Sequence, residues 1–353
     1  MIKETAGNLL SADAEALINT VNTEGVMGKG IALQFKKAYP AMYDAYRKAA
    51  KAGKVRLGHM HVWPTGQMTG PKYIINFPTK GHWKSNSKLK DIESGLADLI
   101  AVIRRLGIES IAVPPLGCGN GGLDWVEVEP RIIAAFDEVP NVDVLLFPPA
   151  GAPSAAEMVT ASPRPTMNPN RAALVEILNR YTGQAMLAPG QIEAQKLLYF
   201  LQVAGQPLSL NFAKHHYGPY ADNLRHVLNL LEGHFIRGFG DGSARVADAE
   251  PLIVLPDAAE EAQQVLADDT EAQRRIDQVL ELAEGFESAY GLELLSTVHF
   301  VAQSMPDATD DDRLQAIWAW SPRKARMFTE DHVRIALETL RGQGWLAHQL
   351  VSA

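Results

Sequence analysis

Short, continuous apolar runs alternate with helical patterns over the first half of the chain, and this alternation restricts the fold more than any other feature. Such runs are typical of strands covered on both faces, whereas apolar spacings of three and four indicate helices. The predicted strands are Ala16–Val21, His59–Pro64, Tyr73–Phe77, Ser110–Val113 and Val142–Phe147. The predicted helices between them are Ile31–Lys51, Lys88–Leu106 and Trp125–Glu138. This order predicts an α/β domain with a layered, mostly parallel sheet.

A proline-rich stretch separates this pattern from a mostly helical second half. Proline removes backbone donors and blocks helices. The prolines concerned are Pro148, Pro149, Pro153, Pro163, Pro165 and Pro169. We therefore predict a first domain over residues 1–152, a linker over 153–169 and an α+β second domain over 170–353. Its predicted helices are Ala172–Thr182, Gln191–Ala204, Tyr220–Glu232, Ala259–Leu282, Leu292–Ser304 and Glu330–Gln343, with short β-like pieces near Phe235–Gly238 and Leu252–Leu255.

The two halves differ in charge. Residues 1–168 contain 18 Lys and Arg against 16 Asp and Glu, whereas residues 169–353 contain 15 against 25. Opposite net charges suggest different partners, although an acidic domain can be acidic for solubility alone. The single cysteine, Cys118, excludes a disulfide framework and indicates an intracellular protein. Without a signal-peptide pattern or a bilayer-spanning run, we expect a cytoplasmic protein that makes no membrane contact.

Two glycine-rich stretches each follow a predicted strand and precede a predicted helix. They lie at Asn19–Ile31 and Pro114–Leu123. Glycine leaves backbone N–H groups uncovered, so such loops can wrap a diphosphate at helix N-termini. Neither the Rossmann nor the P-loop spacing is present. Because a strand–helix connection rarely needs four glycines, we predict two loops that grip a nucleotide diphosphate from both sides.

These stretches resemble macrodomains, a family that binds ADP-ribose. The resemblance rests on Asn8-Leu9-Leu10, on N-T-V-N-x-x-G-x-M-G-K-G-I-A at Asn19–Ala32 and on L-G-C-G-x-G-G-L at Leu116–Leu123. The run Asn76–Lys80, followed by His82-Trp83, resembles one macrodomain subset closely, the DNA ADP-ribosyl glycohydrolase antitoxins. The resemblance implies a three-layer α/β/α macrodomain with a mixed sheet. It also implies no metal and no cofactor.

The resemblance further implies roles for individual residues. Lys80 is the implied catalytic residue, Asn8 and Leu9 lie at the adenine end, and Asn22 reaches the distal ribose. The residues implied to bind ADP-ribose are Asn8, Leu9, Asn22, Gly28, Lys29, Gly30, Ile31, Thr79, Leu116, Gly117, Cys118, Gly119, Asn120, Gly121, Gly122 and Leu123. Two positions depart from the family pattern. Many macrodomains carry an aspartate where Asn8 stands, and some lysine-using relatives carry one where Gly121 stands. A two-residue Lys/Asp mechanism is therefore not supported.

The implied reaction removes ADP-ribose from thymidine bases of single-stranded DNA and so breaks an N-glycosidic bond. Lys80 has two possible roles in such a reaction. As a neutral amine it attacks the anomeric carbon and forms a transient covalent adduct. As an ammonium it stabilises charge on the departing base. Burial would lower the pKa of Lys80 and phosphates would raise it, so the sequence leaves both roles open.

The implied partners are ADP-ribosylated single-stranded DNA and a cognate DarT-type ADP-ribosyltransferase toxin, which the second domain binds and neutralises. Acidic residues in that domain either form a solvated face or imitate DNA phosphates. They are Glu260, Glu261, Asp268, Asp269 and Glu271 on a predicted helix, and Asp307, Asp310, Asp311 and Asp312 in a predicted loop. Two rival hypotheses are a non-catalytic ADP-ribose reader and a macrodomain fused to a DNA-binding regulatory domain.

Other chemically active side chains are weaker candidates. A catalytic role for Cys118 is disfavoured because no paired histidine is evident. His59 and His61 share one strand face, but no third metal ligand is apparent. His82 and Trp83 either stack on an unpaired base beside Lys80 or pack in the core.

Overall fold

The computed structural model describes residues 1–67, 69–246 and 248–346, and it divides into two compact units. The first contains Met1–Pro163 and Gly240–Ala244, and the second contains Arg164–Phe239 and the chain from Arg245 onward. The division at Pro163 falls within the stretch predicted to be a linker. Part of that stretch, Ala155–Glu157, forms a single 3-10 turn.

The first unit is built on a six-stranded mixed sheet. Its strands are β1 (Ile2–Glu4), β2 (Ala16–Asn22), β3 (His61–Pro64), β4 (Tyr73–Lys80), β5 (Ser110–Val113) and β6 (Asp143–Leu146). In the spatial order β1-β6-β5-β2-β4-β3, all neighbours are parallel except β4 and β3. Strand β2 lies inside the sheet, between β5 and β4. Its carboxyl end therefore opens beside that of β4, which is where parallel sheets bind ligands.

Helices cover both faces of this sheet. They are α1 (Gly30–Ala38), α2 (Pro40–Lys51), α3 (Leu89–Leu106) and α4 (Trp125–Phe136). Successive side chains of a strand point to opposite faces. Leu17 and Val21 of β2 accordingly pack in one core with residues of α1 and α2, whereas Ala16 and Ile18 pack in another with residues of α3 and α4. The three-layer α/β/α architecture and the mixed sheet are thereby confirmed.

Several element boundaries differ from the sequence prediction. The predicted helix Ile31–Lys51 is two helices, because Pro40 has no amide hydrogen to continue the first and instead begins the second. Strand β3 begins at His61 rather than His59. Strand β4 continues past Phe77 to Lys80, so the implied catalytic lysine is the last residue of a strand. The short edge strand β1 was not predicted.

The second unit is mostly helical, with two small antiparallel strand pairs, as predicted for an α+β domain. Its helices are α5 (Pro169–Ala185), α6 (Gln191–Val203), α7 (Leu224–Leu231), α8 (Pro256–Leu266), α9 (Thr270–Ala283), α10 (Ala289–Ser304), α11 (Asp310–Trp318), α12 (Pro322–Met327) and α13 (Glu330–Gly342). Its antiparallel strand pairs are β7 (Phe212–His215) with β8 (Gly218–Ala221), and β9 (Ile236–Arg237) with β10 (Ile253–Val254). No helix among the described residues meets the length and hydropathy needed to cross a bilayer.

Three sequence predictions for the second unit were wrong in detail. The predicted helix Ala259–Leu282 is two helices, since the Asp269 side chain accepts a hydrogen bond from the amide of Ala272 and caps α9. The predicted helix Tyr220–Glu232 starts too early, because Tyr220 lies in β8 and helix α7 begins only at Leu224. Helices α11 and α12 were missed, and Asp310–Asp312 form the first turn of α11 rather than a loop.

The second unit also buries a cluster of charged side chains. Lys196 and Lys324 are fully buried, and Glu293 is 1% exposed. Glu293 accepts hydrogen bonds from both Lys324 and Arg323, and the ammonium of Lys324 also donates to the hydroxyl of Thr297 at 3.0 Å. The ammonium of Lys196 donates to the carbonyl of Pro219 at 2.6 Å. Glu293 thus pairs with the buried Lys324 and with Arg323, whose side chain is partly exposed.

Candidate active site

Lys80 is brought to the first glycine-rich loop by the pairing of β2 with β4. The register shifts after Val21, so that Asn22 pairs with Lys80. The amide of Thr23 then donates to the carbonyls of Lys80 and Gly81 at 3.2 and 3.0 Å. These main-chain bonds fix the backbone beneath Lys80 against the start of the first loop.

The first loop is organised by the side chain of Asn22. Its Oδ1 accepts from the amides of Glu24 and Val26 at 3.0 and 3.3 Å, and its Nδ2 donates to the carbonyl of Val26 at 2.6 Å. The buried hydroxyl of Tyr46 donates to the Asn22 carbonyl. These bonds shape the loop itself. Contact of Asn22 with the distal ribose stays a prediction.

The first loop ends where helix α1 begins. Lys29 occupies the N-cap position but makes no side-chain capping bond, and Gly30 has φ +63°. Gly28 is exposed, whereas Thr79 is buried. The amide of Gly30 donates to the carbonyl of Asp241, in the Gly240–Ala244 segment of the same compact unit, at 3.1 Å. A phosphate bound by this amide would therefore have to replace that carbonyl.

The second loop depends on close backbone packing. Gly117 and Gly122 both have φ +75°, and the amide of Leu123 donates to the Gly117 carbonyl at 3.0 Å. A Cβ on Gly121 would lie 2.3 Å from Oγ of Ser87 and 2.4 Å from the Gly117 carbonyl oxygen. The amide of Ser87 also donates to the Gly121 carbonyl at 2.9 Å. Ser87 carries no local signal of this role, because its partners Gly117 and Gly121 lie about thirty residues away in the chain.

Replacing Gly121 by alanine is expected to destabilise the first unit by about 1–3 kcal/mol, because backbone lies in the way of the added methyl group. ADP-ribose affinity should fall as the loop distorts. Thermal denaturation of the full chain and calorimetric titration with ADP-ribose measure the two effects. Gly119→Ala is the matched control for stability, since no atom lies within 4 Å of its added Cβ. Equal stability of the two variants would contradict this account of the loop.

Lys80 joins the two loops. Its Nζ donates to the carbonyl of Asn120 in the second loop at 2.8 Å. The Asn120 side chain in turn approaches the first loop, where a Cβ on Gly30 would lie 3.0 Å from its Nδ2. Within the described part of the chain, no carboxylate lies within ion-pair distance of the Lys80 amine. Desolvation lowers the pKa of Lys80, which increases the fraction of neutral amine.

The adenine-end residues lie on the face of the sheet covered by α1 and α2. Leu9 is buried in the same core that Ile31 packs against. Asn8 caps a 3-10 turn: its Oδ1 accepts from the Leu10 amide at 3.0 Å, and its Nδ2 donates to the Glu157 carbonyl at 2.8 Å. Contact of Asn8 and Leu9 with adenine stays a prediction.

The surroundings of Cys118, His59 and His61 do not favour a catalytic or metal-binding role. Burial raises the pKa of the Cys118 thiol to about 11, so the thiolate is scarce at neutral pH. Nδ1 of His61 is hydrogen-bonded to Nδ2 of Asn76 at 3.1 Å, and Nδ1 of His59 lies 3.8 Å from the Asp98 carboxylate. Among the described residues, no group of three His, Cys, Asp or Glu could hold a metal ion.

The chain is similar to known proteins along nearly its whole length. The sequence profile of the Macro domain family matches residues 18–132. A protein from Mycobacterium tuberculosis named DNA ADP-ribosyl glycohydrolase is 46% identical over 96% of this chain and 99% of its own length. One of the same name from Thermus aquaticus is 45% identical over 98% and 94%. A DNA ADP-ribosyl transferase–DNA ADP-ribosyl glycohydrolase fusion protein from Thermosipho africanus is 34% identical over 35% of this chain and 36% of its own.

Proposed function

The chain belongs to the DNA ADP-ribosyl glycohydrolase (DarG) family, and from that premise we propose that it removes ADP-ribose from thymidine bases of single-stranded DNA. As a member of this family it is an enzyme, a glycosidase. The observation that carries the proposal is the position of the Lys80 amine, which lies between two glycine loops and is bonded to the second at 2.8 Å. Loops of this kind offer main-chain amides to a diphosphate, which would place the adjoining ribose near the amine.

The proposed reaction breaks the bond between the ribose anomeric carbon and a thymine nitrogen. In the covalent route, the neutral Lys80 amine attacks the anomeric carbon. The bonding pair leaves with the base, which takes a proton from water, and a second water then releases ADP-ribose from the amine. In the electrostatic route, the Lys80 ammonium stabilises the departing base while water attacks the oxocarbenium-like carbon. The lowered pKa of Lys80 supports the covalent route.

Turnover of a defined substrate tests the glycohydrolase proposal. The full chain is incubated with a single-stranded oligonucleotide that carries ADP-ribose on one thymidine. We expect free ADP-ribose and the unmodified oligonucleotide, each identified by mass spectrometry. If the oligonucleotide binds but keeps its ADP-ribose, the protein is a reader and the proposal fails.

We also propose that the second unit binds and neutralises a DarT-type ADP-ribosyltransferase toxin. Its excess of acidic residues supports an interaction with a nucleic-acid-binding partner, and in the fusion relative a transferase and a glycohydrolase share one chain. The same acidity disfavours a DNA-binding regulatory domain, because a duplex repels net negative charge. With its DNA substrate and its unpaired Cys118, the protein is placed by this proposal in the cytoplasm.

The proposed toxin contact rests on net charge rather than on the acidic clusters. Asp310 pairs with Arg341, Asp311 with Arg334 and Glu271 with Arg274, while Asp269 and Asp312 cap helices. Those carboxylates therefore already have partners within the unit. The test uses full-length Lys80→Ala protein, which should still inhibit the toxin stoichiometrically through binding. Loss of inhibition in this variant would show that the toxin is opposed by reversal of its product alone.

A further inference from the structure

The segment that follows Lys80 exposes two stacked aromatic rings. Trp83 is 45% exposed, and His82 is also exposed. Their ring centroids lie 5.6 Å apart with an interplanar angle of 23°. The side chains therefore do not pack in the core, which was one of the two alternatives left open by the sequence. A large aromatic side chain that remains 45% exposed beside a proposed active site is suited to contact a ligand with an aromatic ring.

Lysines are concentrated in the segment that carries these rings. Nζ of Lys84 lies over the Trp83 ring, 4.9 Å from its centroid. Residues 80–90 contain four lysines and no aspartate or glutamate. Three of those lysines, Lys84, Lys88 and Lys90, are exposed. Aromatic faces interleaved with cations are typical of surfaces that bind single-stranded nucleic acid, where bases stack and phosphates pair with lysine.

The aromatic pair is also held in a fixed position relative to Lys80. Nε2 of His82 lies 3.6 Å from the carboxylate of Glu24 in the first loop. Nδ1 of His82 accepts a hydrogen bond from the Lys84 amide, and the backbone carbonyl of His82 accepts one from the Ser85 amide, both at 3.0 Å. Only Gly81 separates His82 from Lys80, and the Gly81 carbonyl accepts from the Thr23 amide. These contacts anchor the start of the segment, in which Trp83 follows Lys80 by three residues.

We propose that His82, Trp83 and Lys84 form a strand-binding platform for the nucleotide next to the ADP-ribosylated thymidine. The neighbouring base takes the place of the Lys84 ammonium over the Trp83 ring, and the displaced ammonium pairs with the backbone phosphate. The platform requires an unpaired base, because both faces of a duplex base pair are already stacked. It therefore selects single-stranded over double-stranded DNA. This inference rests on the proposed glycohydrolase function and specifies how its substrate is recognised.

The test compares two substrates, the ADP-ribosylated thymidine nucleoside and the same group within a single-stranded oligonucleotide. In the wild-type protein, the platform should raise kcat/KM for the oligonucleotide above that for the nucleoside. Trp83→Ala should reduce this ratio by about 5- to 100-fold, the range expected for loss of one base–aromatic stack. Trp83→Phe should restore most of it. An unchanged ratio in Trp83→Ala, or equal loss on both substrates, would overturn the proposal.

Lysine variants test the charge contribution separately. Lys84→Ala should weaken the salt dependence of oligonucleotide binding. The slope of the logarithm of the binding constant against the logarithm of the salt concentration should become less steep by about 0.7, as expected for one lost phosphate contact on a single strand. Lys54→Ala is the matched control, since Lys54 is an exposed lysine outside the platform. Equal slopes for the two variants would contradict the phosphate contact.

The affinity of the protein for an unmodified single strand, measured beside the release of ADP-ribose, distinguishes failure of the platform from failure of the glycohydrolase proposal. If the wild-type protein releases no ADP-ribose yet binds the strand through Trp83, the platform stands and the glycohydrolase proposal fails. If it releases ADP-ribose from both substrates at equal rates, the glycohydrolase proposal stands and the platform fails.

Discussion

Replacing Lys80 by alanine is expected to reduce the release of ADP-ribose from a modified oligonucleotide by at least about 10²-fold, whether the amine acts as nucleophile or as electrostatic group. ADP-ribose affinity should change little, because in our proposal main-chain amides of the two glycine loops, and not the Lys80 side chain, bind the diphosphate. Single-turnover kinetics and calorimetric titration measure the two quantities separately. Turnover at the wild-type rate would remove Lys80 from the mechanism.

Lys80→Arg and the pH profile of the wild type distinguish the two roles of the amine. Arginine remains protonated, so it can supply charge but cannot act as the amine nucleophile. Burial lowers the pKa of Lys80 from 10.5, and the neutral fraction rises with pH through that lowered value. If Lys80 acts as the nucleophile, the Lys80→Arg variant should be inactive. The wild-type rate should then rise with pH, with a midpoint below 10.5. If Lys80 acts as an ammonium, the wild-type rate should fall as pH rises, and the Lys80→Arg variant should keep partial activity.

Glu293→Gln is expected to destabilise the second unit by about 3–5 kcal/mol, because it removes the carboxylate partner of the fully buried Lys324 ammonium. Burial alone would raise the pKa of Glu293, but Arg323 and Lys324 outweigh it and lower the pKa below 4.5. The carboxylate therefore contributes stability that is complete above about pH 4.5 and is lost as pH falls through the lowered value. Chemical denaturation of the full chain at pH 7 measures the loss.

Glu271→Gln is the matched control for that variant. Glu271 also accepts from an arginine, Arg274 at 2.8 Å, but its side chain is 60% exposed. Exposed pairs contribute little to stability, so the midpoint of unfolding of Glu271→Gln should stay close to that of the wild type. Added ADP-ribose should shift only the transition of the unit that holds the glycine loops, which identifies the other transition. Similar losses in both variants would show that burial of Glu293 does not determine its contribution.

Strong local patterns predicted the first unit well, and the differences have local causes. The continuous apolar runs predicted the positions of β2, β4, β5 and β6. The glycine-rich stretches predicted the positions of the two loops. Pro40 divided a helix that apolar spacing alone had joined. In the second unit, the hairpin Phe212–Ala221 was missed because its turn, His216-Tyr217, carries no Asn-Gly or Asp-Gly signal.

The candidate site was predictable in its loops and its lysine but not in what supports them. Tyr46 and Ser87 contact the loops from elements distant in sequence, and no local pattern marks either residue. The hydrogen bonds of Asn22 depend on a register shift that is a property of the paired strands. Such contacts arise from tertiary packing, which a single sequence does not display.

The hydrogen bond from Nζ of Lys80 to the Asn120 carbonyl has a consequence for inhibitor design. A carbonyl acceptor stabilises the protonated amine less than a carboxylate does, and burial lowers the pKa of Lys80, so a neutral fraction of the amine can react with electrophilic reagents. Because that carbonyl belongs to the proposed diphosphate loop, a compound that occupies the loop would also alter the surroundings of the amine. A diphosphate analogue bearing an aldehyde at its ribose end would combine both features and would bind covalently to this lysine.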